Sequence, residues 1–500
     1  MASRPQTAPD LAKHLSGWKP FRAVVVGDVM LDQLVFGNAD RLSADAPVPV
    51  LHVQRTEHRP GGAANVAMDL AAMRADVSIL AVVGTDDDAR LLRGALSAAG
   101  VGADSLVEDA TRPTTVKRSL IGLAQHRHPQ KMFRVDHESR QPIAASVEDA
   151  LVERFEHAVR GAAVVCLEDY DKGLCTPSLC RRVIEAARRF NVPVFVDPAR
   201  TTDYSKYRGA TAVTPNRTEA EVATGLMTDR DGSGAHNAAL ARALAAATDA
   251  EAVVLTLDRH GALLLERGQD PLAVPTIARE VYDVTGAGDM FLSGLAAARA
   301  NALSWPDAVA LANAAAGLEV EVFGVVPIPI ERVHVEMLRQ LGLAHGKVRT
   351  PEQAAAEAAA RRARGESVVF TNGCFDLLHA GHVSLLDEAA AQGDFLIVGL
   401  NDDASVRTLK GEGRPINTAA DRARVLGALE SVDAIVLFGE ATPIRLIEAV
   451  APDVLVKGAD YSRRDVVGGD LVESRGGRVH LAGIVEGKST TSTIASLRRS

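Results

Sequence analysis

Residues 281–300 read VYDVTGAGDMFLSGLAAARA, and this stretch decides the fold of the longer part of the chain. An apolar strand, a glycine-rich turn and an amphipathic helix are predicted in that order, with the helix starting near Ala287. The backbone N–H groups of Gly286, Ala287 and Gly288 would face the helix N-terminus, where the helix dipole favours an anion. An acid in that first turn, Asp289, suits a general base that takes the proton of a hydroxyl attacking a phosphate. An ordinary first-turn acid after a simple connection is the alternative.

Upstream of this stretch, short apolar runs alternate with helical segments rich in Ala and Leu. AVVVGDVM, AAVVCLED and VPVFVDP are typical of strands buried on both faces, so we predict right-handed βαβ units around a mostly parallel sheet. Residues 33–59 and 114–138 break this rhythm with alternating, more polar segments such as TTVKRSLIGLA. We predict that they form a small lid at one edge of the sheet, closer to an antiparallel ribbon than to buried strands.

Polar residues fall near the predicted end of the first strand and at the start of the first helix. In RPGGAANVAM, Gly61 and Gly62 precede a predicted helix that carries Asn65 in its first turn, where an amide suits sugar hydroxyls. Asp32, just past the first strand, could supply a second hydrogen-bond acceptor. These residues therefore form a candidate sugar site.

The stretch TPNRTEAE, residues 214–221, places Asn216 and Glu219 three residues apart at a predicted helix start. Both side chains would lie on one face and could orient a hydrated magnesium ion. Each of these polar groups alone is more often a helix cap or a solvated acid. Together they indicate a ligand site, because open α/β sheets bind ligands at the carboxyl ends of their strands.

The glycine pair, the N-x-x-E motif and the D-x-x-G-A-G-D motif occur in the order found in the ribokinase (PfkB) sugar-kinase family, which residues 20–340 resemble. The resemblance implies an α/β fold, a ribokinase-like αβα sandwich with a small β lid, and ATP as phosphate donor. It implies that Asp289 is the catalytic base, that the glycine turn is an anion hole, and that Asn216 and Glu219 hold magnesium through water. The implied ATP contacts are Asn216, Arg217, Thr218, Glu219, Thr256, Gly261, Gly286, Ala287 and Gly288. The implied sugar contacts are Asp32, Gly61, Gly62 and Asn65.

The alternation of strands and helices stops near residue 343, and a strongly helical segment, TPEQAAAEAAARRARG, follows. Thr350 is the predicted N-cap, and Gln353 completes a capping box. A fresh apolar strand, SVVFTNG, then starts a second α/β unit. The predicted organisation is a ribokinase-like domain over residues 1–343, a linker and connecting helix over residues 344–366, and a second domain over residues 367–500.

Residues 371–382, TNGCFDLLHAGH, open the second unit with a strand, a loop and a helix that starts near Ala380. His379 and His382 would both face an anion held on the N-terminus of that helix, and Gly381 would let a phosphate approach the backbone. Imidazole donors there would stabilise charge on a phosphoryl group during its transfer. A metal pair or two surface caps are the alternatives, although no third metal ligand lies at suitable spacing in the sequence.

Together with an S-T-T motif, this H-x-G-H motif makes residues 367–500 resemble the cytidylyltransferase-like nucleotidyltransferases, which implies a Rossmann-like domain. The resemblance implies that His379 and His382 bind the triphosphate and stabilise the transition state. The implied nucleotide contacts are Gly373, Phe375, Lys410, Arg422, Ser489, Thr490 and Thr491. The stretch GIVEGKST also resembles a Walker A loop, but Ala482 occupies the position that needs glycine.

The order of motifs across nearly the whole chain resembles the bacterial bifunctional enzymes that combine a D-β-D-heptose 7-phosphate kinase with a D-β-D-heptose 1-phosphate adenylyltransferase. This implies ATP for both reactions, Mg²⁺, and an ADP-heptose product for lipopolysaccharide core or another glycan. The chain departs from the common pattern at Asp171, Met290 and Cys374. A different sugar kinase fused to a cytidylyltransferase, or a non-catalytic nucleotide-binding regulator, stays open.

The composition narrows the class of protein further. A net charge of −9 argues against non-specific nucleic-acid binding, and no apolar run reaches the ~18 residues of a membrane span. The start, MASRPQTAPDLAKHL, has no apolar segment of a secretory signal. The four cysteines have no zinc-like spacing and are typical of reduced thiols. We therefore expect a cytoplasmic enzyme that binds sugar phosphates and ATP, without nucleic acid or membrane partners, as a homodimer through the kinase domain.

Overall fold

The computed structural model describes residues 11, 14–15, 17–123, 130–229, 234–277, 283–322, 324–340, 347–363, 365–458 and 462–483. The chain divides into two compact units, Met1–Met337 and Leu338–Ser500. Both units alternate strands with helices around a sheet of their own, as the sequence predicts.

The described part of the first unit contains strands and helices in alternation. Its strands are β1 (Phe21–Gly27), β2 (Val29–Leu42), β3 (Pro49–Gly62), β4 (Ala75–Leu80), β5 (Val82–Val83), β6 (Val107–Glu108), β7 (Val116–Gly122), β8 (Gln130–His137), β9 (Val164–Glu168), β10 (Val194–Asp197), β11 (Ala212–Val213), β12 (Ala252–Thr256), β13 (Ala262–Glu266) and β14 (Leu272–Val274). Its helices are α1 (Ala63–Ala72), α2 (Asp87–Ala98), α3 (Ala145–Ala158), α4 (Pro177–Arg189), α5 (Arg217–Thr224), α6 (Ala235–Thr248), α7 (Ala287–Ala300), α8 (Trp305–Glu319) and α9 (Ile330–Gln340).

The main sheet of the first unit has the strand order β14-β13-β12-β11-β10-β9-β1-β4. Its strands run parallel except for β13 and β14, which are antiparallel at one edge. The central strands are buried, and Val25 of β1 lies opposite Cys166 of β9. Because parallel strands end at the same edge of a sheet, Asp28, Glu168 and Asp197 lie at the ends of three neighbouring strands. The predicted, mostly parallel sheet is confirmed.

A second sheet, with the strand order β3-β2-β7-β8, forms the predicted lid. β2 pairs antiparallel with β3, and β7 pairs antiparallel with β8. The central strands β2 and β7 run parallel, so the lid is a mixed sheet and the expected antiparallel ribbon is wrong at this pair. The reason is the chain path, because parallel neighbours need a crossover connection and α1 and α2 lie between them in sequence. Leu34, Phe36 and Ile121 form a small apolar cluster in this sheet.

Helix α7 begins at Ala287 as predicted, after Gly286 as N-cap with a φ of 91°. The expectation of an amphipathic helix is wrong, because ten of its 14 residues are buried. The helix packs against both α1 and α8, so it has no broad face left for solvent. Gly294 allows the approach of α8, since a Cβ there would lie 3.1 Å from the Cα of Ala312.

The second unit is a six-stranded parallel sheet with the order β15-β18-β17-β16-β19-β20. Its strands are β15 (Val348–Arg349), β16 (Val368–Gly373), β17 (Phe395–Asn401), β18 (Ala434–Phe438), β19 (Val454–Gly458) and β20 (Arg478–Ala482). Its described helices are α10 (Pro351–Ala363), α11 (Ala380–Ala390), α12 (Asp403–Lys410), α13 (Ala419–Gly427), α14 (Ile444–Val450) and α15 (Gly469–Ser474). Apolar clusters cover both faces of the sheet, with Phe370 in one and Val369 in the other. Within the described ranges, no helix has both the length and the hydropathy needed to span a membrane.

The segment predicted as a connecting helix packs into this second unit. The capping box of α10 is present, with Thr350 N–H donating to Gln353 at 2.9 Å and Gln353 N–H donating to Thr350 at 3.2 Å. Ala354 and Ala358 are buried in the same apolar cluster as Phe370. β15 pairs with β18 at the edge of the sheet. Residues 348–363 therefore contribute both a strand and core side chains to the second unit.

The packing of α10 predicts how the chain can be divided. A fragment starting at Lys347 should fold, because it keeps β15, α10 and the whole sheet. A fragment starting at Ser367 should lose several kcal/mol of unfolding free energy, because the apolar surface under Ala354 and Ala358 becomes exposed. Urea denaturation of the two fragments, followed by circular dichroism, measures the difference. Equal midpoints would show that α10 contributes nothing to the core of this unit.

Candidate active sites

The first candidate site centres on Asp289, in the first turn of α7. The side chain is buried, at 5% exposure, and each of its two oxygens accepts one hydrogen bond. The amide of Asn65 donates to Oδ2 at 2.8 Å, and the hydroxyl of Tyr170 donates to Oδ1 at 2.7 Å. Burial raises the pKa of Asp289 to about 6, and these two donors act in the opposite direction. A carboxylate held in this way is a suitable proton acceptor near neutral pH.

The predicted sugar-binding residues lie close to this carboxylate. Asn65 is fully buried, and among the described residues its Oδ1 atom has no hydrogen-bond partner, which leaves an acceptor for a substrate hydroxyl. Gly61 and Gly62 end β3, and a Cβ at Gly61 would lie 2.6 Å from Oδ2 of Asp32. Burial raises the pKa of Asp32, and Lys117 opposes this. The structure thus brings all four predicted residues together.

Lys117 lies beside the predicted sugar-binding residues, although the sequence motifs did not identify it. Its position on β7 lies directly opposite Asp32 on β2. Burial lowers the pKa of Lys117, while the charges of Asp32 and Asp289 raise it. The available signal was a single lysine in the alternating segment TTVKRSLIGLA, which does not reveal the face on which the side chain lies.

The residues of the predicted anion hole lie at the start of α7. Gly286 has a positive φ, and a Cβ there would lie 2.6 Å from Oε1 of Glu319, so this N-cap position favours glycine. Ala287 and Gly288 are the first two residues of the helix, whose N–H groups have no intrahelical acceptors. The N–H of Ala287 makes a long hydrogen bond, 3.4 Å, to the carbonyl oxygen of Val284. Gly288 is exposed. An anion can therefore approach the helix N-terminus beside Asp289.

The predicted nucleotide residues lie at the start of α5. Asn216 and Glu219 form a reciprocal capping box, in which Glu219 N–H donates to Asn216 at 3.0 Å and Asn216 N–H donates to Glu219 at 2.8 Å. Arg217 donates to Asp258 and to two backbone carbonyls, so its guanidinium holds neighbouring loops. Thr218 is exposed beside them.

The other side of this nucleotide region is formed by Thr256 and Gly261. Thr256 forms a bridge with Asn216. Gly261 has a φ of 83°, and a Cβ there would lie 2.3 Å from the carbonyl oxygen of Val274. Six of the predicted ATP residues, from the start of α5 and from the segment 256–261, thus share one region of the unit.

Two acids missing from the sequence-based prediction stand beside Asp289. The carboxylate oxygens of Glu168, Asp197 and Asp289 lie within 4.8 Å of one another. Among the described residues, Oε2 of Glu168 is buried without a partner. Burial and the neighbouring acids raise the pKa of Glu168 and Asp197. Each acid is the last residue of an apolar strand, and this position was the one signal available in the sequence.

The second candidate site is formed by the H-x-G-H motif of the second unit. His379 is the N-cap of α11 and His382 lies in its first turn. Their rings stack with centroids 3.8 Å apart, and the ring of Phe375 meets His382 edge-on at 5.3 Å. In the described chain both Nδ1 atoms are buried without partners. Burial and His379 lower the pKa of His382 to about 4, so this imidazole is neutral at pH 7.

The loop between β16 and the two histidines is held by a buried charged residue, Asp376. Asp376 accepts hydrogen bonds from Arg414 and from the backbone N–H groups of Ile416 and Asn417. Lys410 is exposed at the end of α12, just before residues 414–417. A Cβ at Gly373 would lie 3.1 Å from the Phe375 ring, so the glycine leaves room for that ring. The predicted residues Ser489, Thr490 and Thr491 lie outside the described residues.

Arg422 occupies a position different from the one expected for a phosphate ligand. Its side chain is buried, at 2% exposure. The guanidinium donates to the carbonyl oxygens of Cys374, Asn401 and Asn417, and to the carboxylate of Asp403. All three of its nitrogens are used by protein acceptors. The geometry therefore favours a role in holding the loops after β16 and β17 over a direct phosphate contact.

Comparison with known proteins covers both units. Residues 21–331 match the sequence profile of the pfkB family carbohydrate kinases, and residues 370–487 match the cytidylyltransferase-like profile. The chain is 45% identical over 484 residues to the bifunctional protein HldE of Geobacter metallireducens, covering 96% of each chain. It is 44% identical over 482 residues to that of Geobacter sulfurreducens (95% of each chain) and 43% identical over 476 residues to that of Gluconacetobacter diazotrophicus (95% of this chain, 96% of the relative).

Among solved structures, phosphofructokinase-2 from Escherichia coli in complex with potassium is similar with a TM-score of 0.54 and 16% identity. It covers 64% of this chain and 99% of its own. Arabidopsis thaliana ribokinase complexed with ribose and ATP gives a TM-score of 0.50 and 22% identity, covering 64% of this chain and 99% of its own. At these identities the similarity concerns the fold, which is the predicted ribokinase-like sandwich.

The contacts of Arg422 lead to a prediction about stability. Arg422→Ala should lower the unfolding free energy of the full chain by at least about 2 kcal/mol, because buried carbonyl acceptors lose their donor. Arg424→Ala, an exposed residue of the same helix α13, should change it by less than about 0.5 kcal/mol. Chemical denaturation measures both values. A normal stability for Arg422→Ala, with impaired triphosphate binding, would instead support the phosphate contact.

Proposed function

The chain belongs to the HldE family of bifunctional proteins, and on that basis we propose how its two units act on one sugar. It is a transferase of heptose biosynthesis, with a pfkB-type carbohydrate kinase followed by a nucleotidyltransferase, and both activities use ATP. The kinase phosphorylates D-glycero-β-D-manno-heptose 7-phosphate at its anomeric oxygen, giving the 1,7-bisphosphate. The adenylyltransferase transfers AMP from ATP to heptose 1-phosphate, giving ADP-heptose and pyrophosphate. A separate phosphatase must remove the 7-phosphate between these steps.

The extent of the similarity favours this pair of reactions over the alternatives. A different sugar kinase joined to a cytidylyltransferase would match each half separately, whereas the HldE relatives match 95–96% of this chain. A regulator without catalysis would have no need of a buried carboxylate next to an open helix N-terminus. We propose that the ADP-heptose serves lipopolysaccharide core or another heptosylated glycan.

In the kinase reaction, the anomeric hydroxyl attacks the γ-phosphate of ATP while Asp289 accepts its proton. The carboxylate, held through both oxygens, is the observation that carries this proposal. The Oδ1 atom of Asn65, which has no partner among the described residues, and the carboxylate of Asp32 would accept hydrogen bonds from the hydroxyls of the sugar. The N–H groups of Ala287 and Gly288 would stabilise the negative charge on the transferring phosphate. ADP leaves with the electrons of the broken P–O bond.

We further propose that magnesium accompanies ATP in the kinase site, held through water by Asn216 and Glu219. Magnesium neutralises negative charge on the phosphate oxygens and prefers oxygen ligands. The residues present fit it, because Glu219 is fixed by the capping box and the region contains further carboxylate oxygens. Among these, the buried Oε2 atom of Glu168 has no partner in the described residues. Asp197 stands next to it.

In the second unit, the phosphate of heptose 1-phosphate attacks the α-phosphorus of ATP, and pyrophosphate leaves. We propose that His379 and His382 donate to the phosphate oxygens whose charge grows during this attack. Both stand at the N-terminus of α11, which favours an anion, and among the described residues both Nδ1 atoms are without a protein partner. We propose that Lys410, which is exposed at the end of α12, contacts the triphosphate.

We propose that the chain acts in the cytoplasm, where ATP is available, as a homodimer through the kinase unit. The four cysteines are free thiols, which suits a reducing compartment. The lid strand β8 exposes Met132, Phe133 and Val135, which supports an interface between two lids.

Asp289→Asn tests the kinase assignment. It should lower sugar phosphorylation by about 10²- to 10⁴-fold, because the amide cannot accept the proton. Adenylyl transfer from ATP to heptose 1-phosphate should stay normal, which controls for folding of the chain. The two products, bisphosphate and ADP-heptose, are measured by mass spectrometry. Phosphorylation at the wild-type rate would show that Asp289 is an ordinary acid in the first turn of a helix and not the base.

His382→Ala provides the reciprocal test. It should lower adenylyl transfer by about 10²- to 10³-fold, because a donor to the developing charge is lost, and it should spare the kinase. His480→Ala is a matched control, since His480 bonds Glu388 in the same unit and is not part of the motif. The rate of pyrophosphate release measures adenylyl transfer in both variants. Turnover within a few-fold of wild type in a normally melting His382→Ala protein would refute the role of this motif.

A further inference from the structure

We propose that Tyr170 is a positioning residue of the kinase, which fixes the orientation of the Asp289 carboxylate and is itself fixed by Asp28. This proposal rests on the assignment of Asp289 as the base. Tyr170 and Asp28 were not among the residues that the sequence motifs identified. Their role follows from a chain of hydrogen bonds that joins the ends of two neighbouring strands to the first turn of α7.

The first link in this chain is Asp28, which directly follows β1 and is buried. Its carboxylate accepts the backbone N–H groups of Tyr170 at 3.0 Å, Lys172 at 3.1 Å and Leu174 at 3.3 Å. Its own backbone carbonyl accepts the N–H of Ala63, at the start of α1. Asp28 therefore ties the loop after β9 to the beginning of the helix that carries Asn65.

The second link is the side chain of Tyr170, whose hydroxyl lies 2.7 Å from Oδ1 of Asp289. The ring is confined on two sides. A Cβ at Gly62 would lie 3.4 Å from it, and the ammonium of Lys117 stands 5.0 Å from its centroid. Burial and the charge of Asp289 raise the pKa of Tyr170 well above its usual value. The hydroxyl therefore stays protonated and donates a hydrogen bond to Asp289.

Asp289 is thus held by one donor on each oxygen, Asn65 on Oδ2 and Tyr170 on Oδ1. With one donor lost, the carboxylate can rotate about its Cβ–Cγ bond and the accepting lone pair leaves the line of the attacking hydroxyl. Rates depend steeply on such alignment, whereas the affinity for sugar and ATP depends on other groups. A positioning role therefore predicts a fall in kcat without a matching change in KM.

The test compares Tyr170→Phe with Tyr204→Phe in the full-length chain. Tyr204 is also buried, but among the described residues its hydroxyl has no hydrogen-bond partner, so the same atom is removed without loss of a contact. Tyr170→Phe should lower the kinase kcat by about 10- to 100-fold and leave both KM values within about twofold. Tyr204→Phe should leave all three constants unchanged. Adenylyl transfer and the melting temperature report on folding in both variants.

A Tyr170→Phe kcat within twofold of wild type would overturn the proposal, and so would a rise in KM at unchanged kcat, which would mean a substrate contact instead. If Tyr170→Phe is fully active while Asp289→Asn is inactive, only the positioning role fails and the kinase assignment stands. If Asp289→Asn is also active, the assignment of the base fails first.

Asp28→Asn tests the first link. If circular dichroism shows that this variant is folded, it should share the kcat defect of Tyr170→Phe. A normal kcat would show that Asp28 is not part of the chain of hydrogen bonds. Should Asp28→Asn not fold, Tyr170→Phe decides the proposal alone.

Discussion

The kinase unit depends on one buried carboxylate, that of Asp289, and on the two hydrogen bonds that hold it. Asn65 comes from α1 and Tyr170 from the loop after β9, so the carboxylate joins three segments that are far apart in sequence. A buried carboxylate without partners is costly, and its donors make the ionised form accessible at neutral pH. The same hydrogen bonds that stabilise the charge also fix its direction, so stability and geometry at this site have one cause.

The surroundings of α7 show how this unit places negative charge near an anion site. Glu319 lies next to Gly286, and burial together with the charge of Asp289 raises its pKa to about 8. Asp69 is fully buried, and its pKa is raised well above the usual value by burial and by Glu319. With a pKa of about 8, Glu319 is largely protonated at neutral pH and does not repel a phosphate at the glycine turn. Asp289, with its two donors, retains the lower pKa, about 6, that a base requires.

The second unit solves a similar problem with different groups. Its proposed anion site is again a helix N-terminus after a strand, but two imidazoles stand there instead of a carboxylate, because no proton has to be taken from a sugar hydroxyl in the proposed reaction. The loops around the site are held by the buried charged residues Asp376 and Arg422, each of which forms hydrogen bonds with several backbone groups. In both units a buried charged residue holds the loops, and a helix N-terminus is the proposed phosphate site.

The sequence by itself determined the features that depend on neighbouring residues. Apolar runs marked the strands of both sheets, the glycine turn marked the start of α7, and Thr350 with Gln353 marked the cap of α10. Short motifs also selected Asp289 and the two histidines as candidates, because each lies within a few residues of a helix start. Tertiary structure alone decided that Tyr170, 119 residues away, donates to Asp289 and that Arg422 is buried. It also decided that α7 is buried nearly all round, since its neighbours α1 and α8 come from either side of it in the chain. Local periodicity records which residues are apolar and how they are spaced. Hydrogen bonds and burial depend on which distant segments the fold brings within a few ångströms, and no single stretch of sequence contains that information.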